Sequence, residues 1–259
     1  MRSRSSRCFA LAALFAAAAA GCVPKPPAGT ERSPGEVYAR LLGANPGLTS
    51  LRAVVEARLS YAGRRVSLPG VLLLDALGGF RLDLLDPLDR PVAMFFSEGG
   101  RIVQYRSATG VAASLGVFPG DCRAVAPEDW VAAVLASSTA PAPGERLSVR
   151  RFFSGDPLLE RWRQGALYQT VRFREAGDDL QARRATWYCE EEPVLEMKIP
   201  SSVAAGERRL PSTLEIEYVK AGLTVALELR EVETNPALAD SAVRPRLAAS
   251  TRWTTWRLP

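Results

Sequence analysis

The sequence predicts a mainly β protein of the α+β class, with about eleven antiparallel strands in one strongly curled sheet and two or three helices. Residues from Leu51 to Tyr61 alternate between apolar and polar types, which is typical of a half-buried strand. Turn residues then recur at short intervals between apolar runs, and no repeat or linker divides residues 48–235. A sheet of this many strands must curl, so we expect one domain over residues 34–259.

Residues 1–21 form a predicted secretory signal peptide. Three arginines precede an apolar run from Cys8 to Ala20, which is too short to span a bilayer comfortably as a helix. The following Ala20-Gly21-Cys22 resembles the lipobox of bacterial lipoproteins, which implies cleavage before Cys22 and lipidation of that cysteine. A soluble secreted product cleaved nearby is the alternative.

Residues 22–33 are rich in proline, and we expect an extended tether between the lipid anchor and the folded domain. Removal of the signal peptide leaves 30 basic against 28 acidic residues, so the mature chain is close to neutral. The charges are interspersed and form no long basic run, which argues against a nucleic-acid partner.

The first helix is predicted to begin after Ser33. This serine is a suitable N-cap, Pro34 occupies the first helical position, and Glu36 completes a capping box. Pro46 and Gly47 are expected to end the helix.

Eleven apolar runs bounded by turn residues are predicted strands. They are residues 51–61, 66–74, 80–85, 92–96, 101–106, 147–153, 167–174, 180–188, 194–199, 213–219 and 223–232. A second helix is predicted at residues 127–136, with two acidic residues at its positive end. Trp253 and Trp256 are predicted to hold a terminal segment against the domain, and contact with a membrane interface is the alternative.

Four cysteines reduce to two in the mature chain if Cys8 leaves with the signal peptide and Cys22 carries lipid. An exported protein folds in an oxidising compartment, so we predict a disulfide between Cys122 and Cys189. Two unpaired thiols, one or both of them buried, are the alternative.

The absence of histidine excludes His-ligated metal sites, Ser-His-Asp and Cys-His nucleophile systems and an imidazole general base. The sequence also lacks a phosphate-binding glycine loop, a dinucleotide fingerprint, a C-x-x-C pair and a G-x-S-x-G elbow. The acidic run at residues 190–192 is interpreted as a solvated turn rather than a glycosidase pair. We therefore predict that the protein is not an enzyme and binds no metal or cofactor.

Residues 80–91 carry a family resemblance. The strand Phe80-Arg81-Leu82-Asp83-Leu84-Leu85 and the loop Asp86-Pro87-Leu88-Asp89 resemble those of LolB-like outer-membrane lipoproteins in the LolA/LolB superfamily. Residues 210–216 and Asn235-Pro236 also suit an uncharacterised lipoprotein branch of this superfamily. The resemblance implies an unclosed β-barrel with helices covering its open side. It also implies an apolar cavity that takes acyl chains of lipoproteins from a periplasmic LolA-like carrier and releases them into the outer membrane.

The loop leucine of that family protrudes into solvent and assists membrane insertion, and Leu88, next to Pro87, is the matching position. Asp86 and Asp89 replace an asparagine and a glycine of the family, so two negative charges flank this leucine. A Leu88 that folds back onto the rim of the sheet is the alternative.

Alternation assigns residues to faces but does not say which face points inward. We predict that the apolar face of the early strands lines an acyl-binding cavity, and a dry packed core is the alternative. The candidate lining residues are Leu51, Val55, Leu59, Tyr61, Leu72, Leu74, Phe80, Leu82, Leu84, Met94 and Phe96.

These observations predict a monomeric, lipid-anchored protein at the periplasmic face of the outer membrane. It would bind acyl chains of lipoproteins and help to insert them in that membrane. Val23, rather than aspartate, follows Cys22, which favours sorting to the outer membrane. The alternative function is a non-enzymatic scaffold or accessory lipoprotein of an envelope assembly, with the same fold but no lipid cargo.

Overall fold

The first and last long strands of the chain lie side by side at the centre of one sheet. In antiparallel pairing, β1 (Ser50–Tyr61) contacts β2 (Arg64–Asp75) on one side and β13 (Leu223–Thr234) on the other. The fold is that of a computed structural model, which describes residues 33–42, 47–75, 77–98, 101–115, 131–132, 134–135, 143–151, 157–176, 179–205, 208–219 and 222–255.

The first helix, α1 (Pro34–Leu42), begins with the predicted capping box. Ser33 N donates to Glu36 Oε2 at 2.7 Å, and Glu36 N donates to Ser33 Oγ at 3.3 Å. These bonds satisfy two backbone donors at the start of the helix. Val37 and Leu41 on one helix face are buried, and the helix packs against β7, β8 and β10.

The remaining strands complete a single open sheet. They are β3 (Phe80–Leu85), β4 (Pro91–Glu98), β5 (Arg101–Arg106), β6 (Val111–Leu115), β7 (Arg146–Arg151), β8 (Pro157–Arg163), β9 (Ala166–Ala176), β10 (Asp179–Cys189), β11 (Glu192–Ala205), β12 (Arg208–Tyr218) and β14 (Arg252–Thr255). Their order is β14-β6-β5-β4-β3-β2-β1-β13-β12-β11-β10-β9-β8-β7. Neighbours are antiparallel except β14 and β6, which are parallel. The curled, unclosed antiparallel barrel predicted from the sequence is confirmed.

A left-handed Asn235 joins the end of β13 to the start of β1. Its backbone φ is 56°, and its N–H donates to Ser50 O at 2.9 Å. Its side-chain amide accepts from Thr49 N at 2.8 Å and donates to Gly47 O at 2.9 Å. These bonds fix the seam at which the two halves of the chain meet.

The eleven predicted strands are all present, but the predicted number is too low, because the described residues contain fourteen. The missing ones are β6, β8 and β14. β6 is short and composed mostly of small residues, and β8 begins at a proline and carries charged residues at buried positions. β14 is held by parallel pairing with β6, a distant segment that local alternation does not reveal.

The other helical segments lie on different parts of the sheet. Residues 131, 132 and 134 are helical and buried, Leu135 is a buried turn residue whose N–H donates to Val131 O at 2.9 Å, and the other residues of the helix predicted at 127–136 lie outside the described residues. The short helix α2 (Asp240–Val243) packs against β2 and β3, where Arg81 Nη1 donates to Ala242 O at 2.9 Å. Trp253 lies on β14 and is 54% exposed, whereas Trp256 lies outside the described residues.

Candidate functional site

The inner face of the sheet, which carries the main buried apolar cluster, borders a cavity of about 580 Å³. This volume lies within the range of roughly 300–1,000 Å³ that is usual for ligand pockets. The lining residues are Ala57, Leu59, Tyr61, Arg64, Val66, Leu72, Phe80, Leu82, Leu84, Phe95, Ile102, Gln104, Arg106, Val134, Ile216, Tyr218, Leu223, Val225 and Leu227.

Strand register places the apolar side chains of this wall next to one another. Leu82 lies opposite Leu72 on β2 and opposite Phe95 on β4. On the other wall, Ile216 of β12 lies opposite Val225 of β13. Because side chains alternate along a strand, each strand contributes every second residue to the cavity.

The structure divides the eleven predicted lining residues into three groups. Leu59, Tyr61, Leu72, Phe80, Leu82 and Leu84 line the cavity. Leu51, Val55 and Leu74 do not line it, but they are buried in the same apolar cluster. They therefore support the wall from within the core.

The face predicted for Met94 and Phe96 is wrong. Phe95 lines the cavity instead, because it pairs with the inward-facing Leu82. Phe96 is buried in a separate cluster with Val103 and Ala112, against which Met94 packs. Consecutive apolar residues in β4 leave the parity open, and only the pairing with β3 decides which side points inward.

The second wall of the cavity was not predicted from the sequence. This wall comes from β12, β13, β5 and Val134. Leu223, Val225 and Leu227 occupy every second position of β13, as the apolar residues of β1 do in their strand. The sequence therefore contained a signal for this wall. What local sequence did not show is that β13 lies beside β1.

The exposed lining residues of the cavity lie at one end of the sheet, which we call the cavity mouth. It is the end at which β1, β3, β5 and β12 finish, and Tyr61, Arg64, Arg106 and Leu223 line the cavity there. Burial raises the pKa of the Tyr218 phenol, so this wall residue stays uncharged at physiological pH.

Exposed apolar side chains are concentrated at the cavity mouth. Tyr61 is 36% exposed, Val66 is 51% exposed and Leu88 is 71% exposed, and Val92 and Val219 at the same end are also exposed. Such a concentration of apolar groups is a feature of surfaces that contact other molecules or membranes.

The Leu88 turn is ordered by the side chain of Asp86. One carboxylate oxygen accepts from Leu88 N at 2.8 Å and from Arg90 N at 3.0 Å, and the other accepts from Arg90 Nε at 2.7 Å. These hydrogen bonds from Arg90 hold the pKa of Asp86 below its usual value. Asp89 has a φ of 57°, the left-handed conformation that favours the glycine found there in the resembled family. Leu88 protrudes from this turn, next to the exposed Pro87, rather than folding back on the sheet.

Two other predicted sites fall wholly or partly outside the described residues. Cys189 is disulfide-bonded. Cys122 lies outside the described residues, so its pairing with Cys189 stays a prediction, and the lipidation site Cys22 lies outside them too. Within the described ranges, no helix has the length and hydropathy needed to cross a membrane, and no cluster of carboxylates and cysteines is suited to a metal ion.

Comparison with known proteins shows similarity at the level of the fold. No protein-family profile and no curated protein matches the sequence. A putative outer membrane lipoprotein-sorting protein domain from Vibrio parahaemolyticus matches with a TM-score of 0.59 and 14% identity, covering 82% of this chain and 96% of that one. A LolA superfamily protein from Nitrosomonas europaea matches with a TM-score of 0.55 and 11% identity, covering 82% and 97%.

A third solved structure is a DUF1329 family protein from Desulfovibrio piger, with a TM-score of 0.56 and 13% identity over 80% of this chain and 94% of that one. At these identities the comparisons establish a shared fold. The chain therefore has a fold similar to that of LolA-superfamily and lipoprotein-sorting domains.

Proposed function

We propose that this protein is a lipid-anchored envelope protein that binds acyl chains of lipoproteins in its cavity and helps to insert them in the outer membrane. The observation that carries the proposal is the apolar cavity of about 580 Å³ on the inner face. The solved structures with a similar fold include a lipoprotein-sorting domain and a LolA superfamily protein, which supports a role in handling lipoproteins.

The physical argument concerns the transfer of hydrocarbon from water. Each methylene group removed from water contributes about 0.8 kcal/mol, so a concave apolar wall binds an acyl chain without any specific polar contact. The deep part of the wall, formed by residues such as Leu72, Leu82 and Leu227, is buried and aliphatic. Release then requires only that the membrane offers the chain a comparable environment.

The cavity mouth is suited to contact a membrane during release. Leu88 protrudes beside the opening, and Val66 and Val92 add exposed apolar surface at the same end. The negative charge of Asp86 would oppose contact with anionic lipid, but Arg90 pairs with this carboxylate at 2.6 Å. The turn therefore exposes Leu88, and Arg90 neutralises Asp86, one of the two acidic residues that flank this leucine.

The anchor and the location complete the proposal. Cys22 would carry the lipid, and residues 22–33 would let the domain move between a periplasmic LolA-like carrier and the periplasmic face of the outer membrane. In this role the protein acts as a monomer, catalyses no reaction and needs no cofactor.

Native mass spectrometry of the purified protein with an N-palmitoylated peptide tests the proposal. We expect a one-to-one complex with the acylated peptide and none with the same peptide without the acyl chain. Leu82→Trp, which places an indole in the cavity, should reduce the complex strongly. Absence of any acylated species with the wild-type protein would contradict acyl binding and leave the envelope scaffold as the better account of this fold.

A further inference from the structure

We propose that the cavity mouth selects acyl ligands with an anionic group next to the chain, and that Arg64 and Arg106 bind this group. The inference rests on the acyl binding proposed above and names the chemical class of the polar end. Arg64 is the first residue of β2 and Arg106 is the last residue of β5, so both lie at the mouth. Both line the same cavity.

The two guanidinium groups are available for a ligand. Neither makes an ion pair with a carboxylate of the described residues, and both side chains are exposed to solvent. Arginines of the neighbouring strands are paired: Arg58 of β1 contacts Glu228 at 3.0 Å, and Arg81 of β3 contacts Asp83 at 2.8 Å. The mouth thus keeps two positive charges that the protein itself does not neutralise.

The wall changes from apolar to polar along one strand. On β5, Ile102, Gln104 and Arg106 all face the cavity, in this order towards the mouth. On β2, Leu72 lies deep while Arg64 lies at the opening. An amphiphile whose chain contacts the deep aliphatic residues would therefore leave its polar end beside Gln104 and the two arginines.

The described lining residues include two arginines and no carboxylate, so the charge that they place at the mouth is positive. A guanidinium donates paired hydrogen bonds to a carboxylate or a phosphate, and positive charge beside a low-dielectric wall attracts anions. A neutral or cationic polar end would gain nothing from this arrangement. The polar end that fits is an anionic group, a carboxylate or a phosphate, close to the start of the acyl chain.

The test uses three probes with the same sixteen-carbon chain: hexadecanoate, hexadecyl phosphate and the neutral hexadecanol. Their dissociation constants are measured with the purified protein at pH 8, below the concentrations at which micelles form. Because the probes differ in their affinity for water, the informative quantity is the change in each dissociation constant on mutation. The carboxylate and phosphate arms distinguish the two sources of the anionic group.

Arg64→Gln and Arg106→Gln should each weaken binding of the anionic probes about 2- to 5-fold, as for exposed ion pairs, and leave hexadecanol unchanged. Raising the salt concentration to about 0.5 M should remove most of this difference, because exposed charges are screened. Arg65→Gln is the matched control, since Arg65 is the exposed neighbour of Arg64 and does not line the cavity.

The outcomes separate this inference from the proposed function. If all three probes bind and the Arg64 and Arg106 variants weaken them equally or not at all, the anionic selection is wrong while acyl binding stands. If Arg65→Gln has the same effect as Arg64→Gln, the site at the mouth is wrong and only general charge attraction remains. If none of the probes binds, both this inference and the proposed function are contradicted.

Discussion

The two halves of the inner face differ in what covers them. Under β7 to β11, α1 packs on the sheet, and Phe173, Trp187 and Leu159 fill the space with side chains that are almost fully buried. Along β1 to β5, β12 and β13, the same kind of apolar surface borders a cavity. Among the described residues, alternation gives both halves an apolar face, but buried side chains fill only one of them, whereas the other borders a cavity that the helical Val134 also lines.

The two halves also place their charges differently. Next to the filled half, Arg161 is fully buried and donates to Glu145 Oε2 at 2.9 Å and to Gln169 Oε1 at 2.9 Å. Arg163 also bonds Glu145, and Arg161 lies 6.0 Å from the ring centroid of Tyr38 on α1. In the hollow half, the charged lining residues lie at the mouth. One half therefore holds its charges in a buried ion pair, and the other exposes them at the cavity mouth.

The largest expected effect is the loss of the buried ion pair beside the filled half. Glu145→Gln removes the buried carboxylate that bonds both Arg161 and Arg163, so we expect the free energy of unfolding to fall by about 3–5 kcal/mol. Urea denaturation measures this change. Glu228→Gln removes the exposed partner of Arg58 and should change stability by less than about 1 kcal/mol. Equal effects of the two substitutions would contradict the structural role given to the buried pair.

The same carboxylate predicts a pH dependence. Burial raises the pKa of Glu145, but hydrogen bonds from Arg163 and Arg161 outweigh it and lower the pKa overall. A group with a lowered folded-state pKa contributes stability above its unfolded pKa and loses it as the pH falls through the folded value. The wild-type protein should therefore lose more stability than Glu145→Gln between about pH 5 and pH 3. Parallel stability curves for the two proteins would argue against this assignment.

A matched pair of tryptophan substitutions tests the filled and hollow halves directly. Leu82 lines the cavity, and Leu82→Trp should leave stability unchanged or raise it by about 0.5–2 kcal/mol, as cavity-filling changes often do. Leu159 is fully buried in the filled half, and Leu159→Trp should lower stability by about 1–3 kcal/mol or more through overpacking. A similar loss in both variants would mean that the cavity cannot accept additional atoms.

The smallest effect on stability is expected at the two exposed leucines at opposite ends of β3. Leu88 lies at the cavity mouth, and Leu77, which is 89% exposed, lies at the other end. Both Leu88→Glu and Leu77→Glu should keep the free energy of unfolding within about 0.5 kcal/mol. Only Leu88→Glu should slow transfer of an acylated peptide from the protein to vesicles, by about tenfold if the leucine enters the membrane during transfer. Equal transfer rates would remove the Leu88 turn from the mechanism.

Local sequence was sufficient to predict α1 and eleven of the strands. The cap at Ser33 and the alternation after Ser50 depend only on near neighbours, so the sequence shows them directly. β8 was missed because Glu160 and Arg161 are buried there. Their ion-pair and hydrogen-bond partners lie on other segments of the chain, and a pattern of apolar residues does not reveal them.

Only part of the cavity wall could be predicted from the sequence, for a related reason. Leu59, Leu72 and Leu82 follow from alternation, but the choice between Phe95 and Phe96 depends on register, which a partner strand determines. The wall from Ile216 to Leu227 depends on the pairing of β13 with β1, two strands that are far apart in the sequence. Arg64 and Arg106 show no local motif, and they became notable only because the fold places both at the cavity mouth.

The most direct test of the account is photolabelling with a palmitate that carries a diazirine at the end of its chain, followed by peptide mapping. We predict that the label attaches to the hollow half, near Leu72, Leu82, Ile216 and Leu227, and that excess unlabelled palmitate prevents it. Labelling confined to the filled half near Phe173, or to the outer-face cluster around Phe96, would contradict the claim that the cavity holds an acyl chain.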